Sequence, residues 1–231
     1  MRLFKCKKHT RIALALSLCL LVLWAILGTG TSLAWFTETT PEQRNIFNIG
    51  DIDLKVSYKP YNENVDYTEI TSTTNVFDDE ALYEPGYVQV VYLKIENVGD
   101  IPFDYKTAVS VADYTTAINY FGNEFNLQDH LRFGVLFADT QAERTSEAIL
   151  DNLVKDRLTA KNNANSEFKE KPLNSYCSDT LSLGVGESAY MALIVRMPEE
   201  VDNVANYRGD TQPTVKLGVI VKASQQGAPI E

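Results

Sequence analysis

The chain has 231 residues, 45% of them hydrophobic, and a formal net charge of −10. This length is enough for a globular domain with a sizeable core. The acidic balance argues against nucleic acid and anionic lipid surfaces as partners, because both repel a negatively charged protein.

The first 34 residues have the pattern of a secretory signal peptide. Five basic residues lead into an uncharged apolar run at 12–27, and small residues follow up to Ser32-Leu33-Ala34. Signal peptidases cleave after such a small-x-small pattern. We therefore predict a hydrophobic signal helix in residues 1–34, cleavage between Ala34 and Trp35, and a secreted protein that contacts the membrane only through this segment.

Retention of this segment as a membrane anchor is the alternative. Residues 12–37 carry no charge, so the segment is long enough to span a bilayer. The Gly, Thr and Ser residues at 28–32 make a poor hydrocarbon span and favour cleavage.

Without its first 34 residues the chain carries 16 basic and 31 acidic side chains, a formal charge of −15. Cys177 is then the single cysteine. A lone cysteine forms no internal disulfide, so we expect the core to hold the domain together.

Hydrophobic residues alternate with polar ones along most of the remaining chain, and this period of two is typical of half-buried strands. Turn sequences separate the runs, among them Glu84-Pro85-Gly86 and Asn97-Val98-Gly99-Asp100. The pattern predicts an all-β protein, an antiparallel jelly-roll-like β-sandwich. The predicted strands lie at 52–58, 88–97, 105–111, 131–137, 189–197 and 214–223.

Two segments depart from the strand pattern. Residues 113–129 mix aromatic and polar side chains and are predicted to form a loop or a short helix. Residues 145–161 carry apolar side chains at helical spacing, which predicts one inserted α-helix packed on the sandwich. The predicted organisation is a signal peptide at 1–34, an N-terminal segment at 35–50, the sandwich at 51–225 and a tail at 226–231.

Three stretches resemble a known family. The first is the junction 30–37 followed by 47–54, which reads Phe-Asn-Ile-Gly-Asp-Ile-Asp-Leu. The second is the Pro-Gly turn at 85–86 with the following strand and Asn97-Val98-Gly99. The third is the corner 203–209, which reads Asn-Val-Ala-Asn-Tyr-Arg-Gly and is similar to that family's Asn-x-Tyr-x-Gly corner. Together they resemble the TasA and camelysin (CalY) proteins, whose signal peptides are processed by SipW-type signal peptidases.

The resemblance implies export from a Gram-positive bacterium and a jelly-roll sandwich that self-associates in biofilm-matrix fibres or a surface layer. It also implies assembly by strand donation, in which the processed N-terminal segment pairs with the next subunit. Here the donor-strand anchors are Trp35, Phe36, Ile46 and Phe47. Exposed hydrophobic side chains at a free terminus favour burial against a partner.

Two questions about this assembly stay open in the sequence. The N-terminal segment can also fold back on its own sheet as an edge strand. The strands at 88–96 and 214–223 are both candidate acceptor edges.

Camelysins are described as metallopeptidases, so a cell-surface metalloendopeptidase is the alternative function. A zinc site needs about three protein ligands, and the sequence offers the weak pair Asp129 and His130 with no His-Glu-x-x-His motif. The acidic residues at 78–80 and 199–202 are alternatives for calcium, but no twelve-residue calcium loop is present. We therefore expect no catalytic residue and no cofactor, with zinc or calcium as the alternative.

Overall fold

The computed structural model describes residues 46–48, 52–159, 170–177 and 179–230, with backbone only for the first of these ranges. All of them fall in one unit, Glu42–Glu231. The protein is all-β with a few short helices, which confirms the predicted class. The predicted signal peptide, its cleavage point and the tail residue Glu231 lie outside the described residues.

Twelve strands, three α-helices and a 3-10 helix are found in the described residues. The strands are β1 (Ile46–Asn48), β2 (Leu54–Pro60), β3 (Thr68–Glu69), β4 (Val88–Asn97), β5 (Phe103–Thr115), β6 (Ala117–Ile118), β7 (Glu124–Phe125), β8 (Arg132–Leu136), β9 (Lys171–Pro172), β10 (Leu181–Leu183), β11 (Ser188–Arg196) and β12 (Thr214–Gln225). The helices are α1 (Leu127–His130), α2 (Gln141–Arg144), α3 (Glu147–Thr159) and the 3-10 helix Glu199–Val204.

The strands form two main sheets. One has four strands in the order β1-β12-β5-β10, and the other has six in the order β3-β2-β4-β11-β8-β9. Every pair is antiparallel except β1 with β12, which is parallel. A separate two-stranded hairpin joins β6 and β7.

The two sheets share one hydrophobic core, which makes the molecule a two-layer sandwich. Leu93 and Ile95 of β4 and Val219 and Val221 of β12 are fully buried within it. These residues lie on alternate positions of their strands, because successive side chains point to opposite faces of a sheet. The alternation read from the sequence is therefore confirmed for both strands.

Helix α3 lies within the predicted segment 145–161 and packs on the outer face of the six-stranded sheet. Leu150 and Val154 contact a second buried cluster that includes Val90 and Tyr92 of β4. The Tyr92 hydroxyl donates a hydrogen bond to Asp151 Oδ1 (2.8 Å). Strand β4 is consequently buried on both faces at residues 90–93, which explains the apolar run Val-Val-Tyr-Leu at these positions.

Residues 113–129 contain more β-strand than the loop or short helix that the sequence predicts. Strand β5 continues to Thr115, the hairpin β6–β7 follows, and the segment ends in α1. The buried Asn119 holds the hairpin, since its Oδ1 accepts from the backbone N–H groups of Phe121 and Asn123 (both 3.0 Å). Its Nδ2 donates to Val204 O (3.1 Å). These side-chain contacts are tertiary, so local periodicity does not reveal them.

Asn97 connects the end of β4 to the loop that follows it and to β10. It is 2% exposed, and its Nδ2 donates to Ile101 O (2.8 Å) and to Leu183 O (3.4 Å). Its Oδ1 accepts from the N–H of Gly99 (3.1 Å), and a Cβ at Gly99 would lie 3.0 Å from Asp53 N. The Asn-x-Gly sequence is thus a packed corner between the two sheets.

Replacing Asn97 by alanine is expected to lower the free energy of unfolding by about 2 kcal/mol, because it leaves buried backbone groups without partners. Urea denaturation followed by circular dichroism measures the change. Asn152, exposed on α3, provides the control, since Asn152→Ala should change the stability by less than about 0.5 kcal/mol. Equal effects of the two substitutions would contradict the assigned role of Asn97.

Candidate functional site

The edges of the two sheets decide where another strand can be added. The six-stranded sheet ends in β3 and β9, each two residues long, and β9 contains Pro172. Short edge strands and proline both discourage further pairing, because they offer few consecutive donors and acceptors. Neither edge suits a donor strand of useful length.

The outer edge of β5 in the four-stranded sheet is covered by the chain itself. Strand β10 pairs with Phe103–Tyr105, and the segment before it covers the next residues. Asn174 N donates to Val109 O (2.8 Å), Asn174 Oδ1 accepts from Val111 N (2.9 Å), and Cys177 N donates to Thr107 O (2.9 Å). The sequence did not predict a strand in this segment, because single backbone contacts leave no alternation of hydrophobic and polar residues.

The outer edge of β12 is different. Strand β12 is 12 residues long and pairs with β5 along its inner edge. Within the described residues, its outer edge has a strand partner at Ile220, Val221 and Lys222, where it meets Ile46, Phe47 and Asn48 in parallel register. A strand edge of this length with so short a partner is the most suitable acceptor in the described part of the chain.

The prediction that strand 88–96 is an acceptor edge is wrong. Strand β4 lies between β2 and β11 and pairs with both over most of its length. Its long apolar run reflects burial on two faces, beneath α3 and against the core, and says nothing about an open edge. The second candidate, 214–223, corresponds to β12 and has the partly paired edge.

The predicted assembly residues fall into two groups. Ile46 and Phe47 lie in β1, paired with their own chain's β12, which is the fold-back arrangement that the sequence left open. Trp35 and Phe36 lie outside the described residues, as does the predicted cleavage site at Ala34. The register of β1 nevertheless identifies the edge that accepts this part of the chain.

Asp129 and His130 end the single turn of α1. Asp129 Oδ2 accepts from Asn126 Nδ2 (3.2 Å), and the Asp129 carbonyl accepts from Arg132 Nη1 (3.1 Å). The His130 ring lies beside Phe125, with 6.3 Å between ring centroids. The part of the chain that the structure describes contains no group of three His, Cys, Asp or Glu side chains that could hold a metal ion, so this pair has no third ligand there.

Burial lowers the pKa of His130 below its ordinary value; the neighbouring Asp129 carboxylate opposes this and Arg132 reinforces it. The folded protein therefore favours the neutral imidazole.

Comparisons with known proteins do not assign this chain to a family. No family model matches the sequence, and no curated protein matches it. Among solved structures, a family 123 glycoside hydrolase from Clostridium perfringens is similar at 10% identity and a TM-score of 0.24, over 61% of this chain and 22% of that chain. The match therefore spans about a fifth of that hydrolase, and a similarity this low carries no argument about fold or function. No helix in the described ranges has the length and apolar character needed to cross a membrane.

His130 should make stability depend on pH near neutrality. Because its pKa is lower in the folded chain than in the unfolded chain, the unfolded state binds the extra proton more readily. Stability is therefore complete above the unfolded pKa of about 6.5 and falls as the pH drops through the folded pKa. Urea midpoints measured between pH 8 and pH 5 should show this fall, and His130→Gln should flatten it. An identical pH profile in the variant would contradict the assignment.

Proposed function

We propose that this protein is an exported structural subunit, or an accessory subunit, of extracellular biofilm-matrix fibres or of a surface layer. In this proposal it is a jelly-roll sandwich that assembles by donating its N-terminal segment, residues 35–48, to the outer edge of β12 in a neighbouring copy. The observation that carries the proposal is the parallel pairing of Ile46–Asn48 with Ile220–Lys222.

The pairing supports strand exchange because the same contact can form within one chain or between two. Only residues 49–53 separate β1 from β2, which starts the other sheet. Five extended residues span at most about 18 Å, so an exchanged segment reaches only a copy in direct contact. Short hinges of this kind favour domain swapping.

Such an exchange gives a filament. Each copy donates its N-terminal segment and accepts one on β12, so the two contacts use different surfaces of the molecule. A head-to-tail contact that does not close into a ring continues indefinitely. Backbone hydrogen bonds along the β12 edge supply the affinity, and side chains at alternate positions supply the specificity.

The sequence adds two independent supports. The basic, apolar and small-residue order of the first 34 residues is typical of exported proteins. The stretches that resemble the TasA and camelysin family include the Pro-Gly turn, where Gly86 has φ 88°, and the packed corner at Asn97. These residues have structural roles in this fold, which is consistent with a shared architecture.

The processed protein, beginning at Trp35, is expected to form fibres visible by negative-stain electron microscopy. The double substitution Trp35→Ser with Phe36→Ser should raise the concentration needed for assembly at least about ten-fold, since burial of one aromatic side chain contributes about 1.5–3 kcal/mol. Thr39→Ser with Thr40→Ser is the control, because it changes the same segment without removing a large apolar side chain.

Two outcomes would overturn the proposal. One is a processed protein that stays monomeric at every concentration. The other is stoichiometric zinc with chelator-sensitive cleavage of casein, which would favour the metalloendopeptidase instead.

Strand exchange can be detected by a disulfide in the observed register. Ile46 and Ile220 are paired in β1 and β12, and paired strand residues lie within disulfide reach. The variant Ile46→Cys with Ile220→Cys should give an intrachain bond in monomers and covalent ladders in fibres, seen on non-reducing gels.

The processed parent is the control for this measurement, since its single cysteine, Cys177, is buried. Fibres that contain only intrachain bonds would show that this strand is not exchanged.

A further inference from the structure

A cleft of about 380 Å³ opens beside the start of β12. Four segments that are distant in sequence line it. They are the chain just before the Pro-Gly turn, the first residue of α1, the corner after the 3-10 helix and the two residues before β12. The volume lies in the range of pockets that bind small molecules.

The lining combines an apolar floor with polar groups at the mouth. Tyr83, Leu127 and Pro213 are buried, whereas Glu84 and Gln212 are exposed. The accessible surface of the cleft is more polar than apolar. A ligand without polar groups would leave the amide and carboxylate groups of the lining without hydrogen-bond partners, which costs free energy. The cleft therefore suits a ligand that is itself rich in hydrogen-bonding groups.

Two amides and one carboxylate supply the hydrogen bonds. Asn206 and Gln212 each carry a carbonyl oxygen and an NH₂ group, and Glu84 carries two acceptor oxygens. Asn206 Nδ2 donates one hydrogen to Asn203 Oδ1 (2.9 Å), which orients the amide and leaves its second hydrogen and its oxygen for a ligand. Hydroxyl groups match this set, because each one both donates and accepts.

Aromatic rings are exposed at the same place. Tyr207 lines the cleft and leaves 46% of its surface exposed. The hairpin β6–β7 is joined to this corner, since Tyr120 N donates to the Asn206 carbonyl (2.8 Å). Tyr120 and Phe121 at the hairpin tip are 57% and 61% exposed, with 5.7 Å between their ring centroids. Exposed apolar groups clustered in this way mark a binding surface.

The charge of the lining narrows the class of ligand. Glu84 is the one charged side chain among the described residues of the cleft. No lysine, arginine or histidine there can pair with a phosphate, sulfate or carboxylate, and the net charge of −10 adds to the repulsion of anions. The two amides outnumber the carboxylate, so a neutral ligand is favoured over a cation.

A sugar ring has the two kinds of surface that this cleft complements. Its hydroxyl groups lie around the edge of the ring and pair with amides and carboxylates. Its C–H groups lie on the faces of the ring and pack against the negative face of an aromatic side chain.

We propose that this cleft binds a neutral saccharide, with one C–H face of a sugar ring on Tyr207 and the hydroxyl groups at Asn206, Gln212 and Glu84. Binding occurs without hydrolysis, because cleavage of a glycosidic bond generally uses a pair of carboxyl groups and the described lining has one. The site belongs to the folded monomer, so this proposal does not depend on strand donation.

Saturation-transfer difference NMR on the processed protein, below the concentration at which it assembles, tests this binding. The neutral probes are oligosaccharides of glucose, mannose, galactose, xylose and N-acetylglucosamine. Oligogalacturonate is the anionic probe, and a chitosan oligomer is the cationic probe. We expect transfer to at least one neutral probe, strongest at the C–H groups of one ring face. Tyr207→Ala should raise its dissociation constant about ten-fold, through loss of one stacked aromatic ring.

Tyr114→Ala is the matched control, because Tyr114 is 45% exposed, against 46% for Tyr207, and does not line the cleft. A second pair of variants tests the hydrogen bonds. Gln212→Ala should weaken binding about five-fold, the equivalent of one hydrogen bond. Gln226→Ala, which changes an exposed glutamine away from the cleft, should leave binding unchanged.

The results distinguish this proposal from the assembly. Absence of transfer to every neutral probe at millimolar concentration, or binding confined to the anionic or cationic probe, would overturn the saccharide site. Equal affinities of Tyr207→Ala and Tyr114→Ala would place any binding elsewhere on the molecule, and shortening of the bound probe would contradict binding without hydrolysis. A monomer that binds a neutral saccharide but never forms fibres would overturn strand donation and leave the cleft assignment intact.

Discussion

The outer edge of β12 is the constraint on which the proposed assembly depends. Backbone N–H and C=O groups along a strand need hydrogen-bond partners, and a long edge without a matching strand is a site for another chain. Strand β12 spans Thr214–Gln225, and its described strand partner on this side has three residues. That partner belongs to the N-terminal segment, so the contact links this edge directly to the part of the chain that export processing would release.

The remaining edges show how the fold avoids uncontrolled association. Two-residue strands end the six-stranded sheet, and Pro172 removes a donor from one of them. On the four-stranded sheet, Asn174 and Cys177 occupy the backbone groups of β5 that would otherwise be exposed. Among the sheet edges that the structure describes, this leaves the outer edge of β12 as the one suited to the proposed strand donation.

The burial of β4 shows why apolar sequence and accessible edge are separate properties. Ile95 faces the shared core, whereas Tyr92 faces α3, where its hydroxyl bonds to Asp151. Lys59 forms an ion pair with Glu147 at the start of this helix and lies above the Tyr67 ring, 5.1 Å from its centroid. The helix thus completes the outer layer over the central strands, and β4, one of the two predicted acceptor edges, is buried on both faces.

The sequence by itself determined the all-β class, the main strands, the helix near 145–161 and the inward faces of β4 and β12, because these follow from local periodicity and turn residues. It also identified residues 214–223 as a possible acceptor. Only the tertiary structure decided between the two acceptor candidates. It alone gave the parallel register at Ile220, and it alone brought together residues as distant in sequence as Glu84 and Tyr207, which line one cleft. Strand neighbours and clefts arise from contacts between distant segments, and hydrophobic periodicity records which face of a strand is buried but not which strand lies beside it.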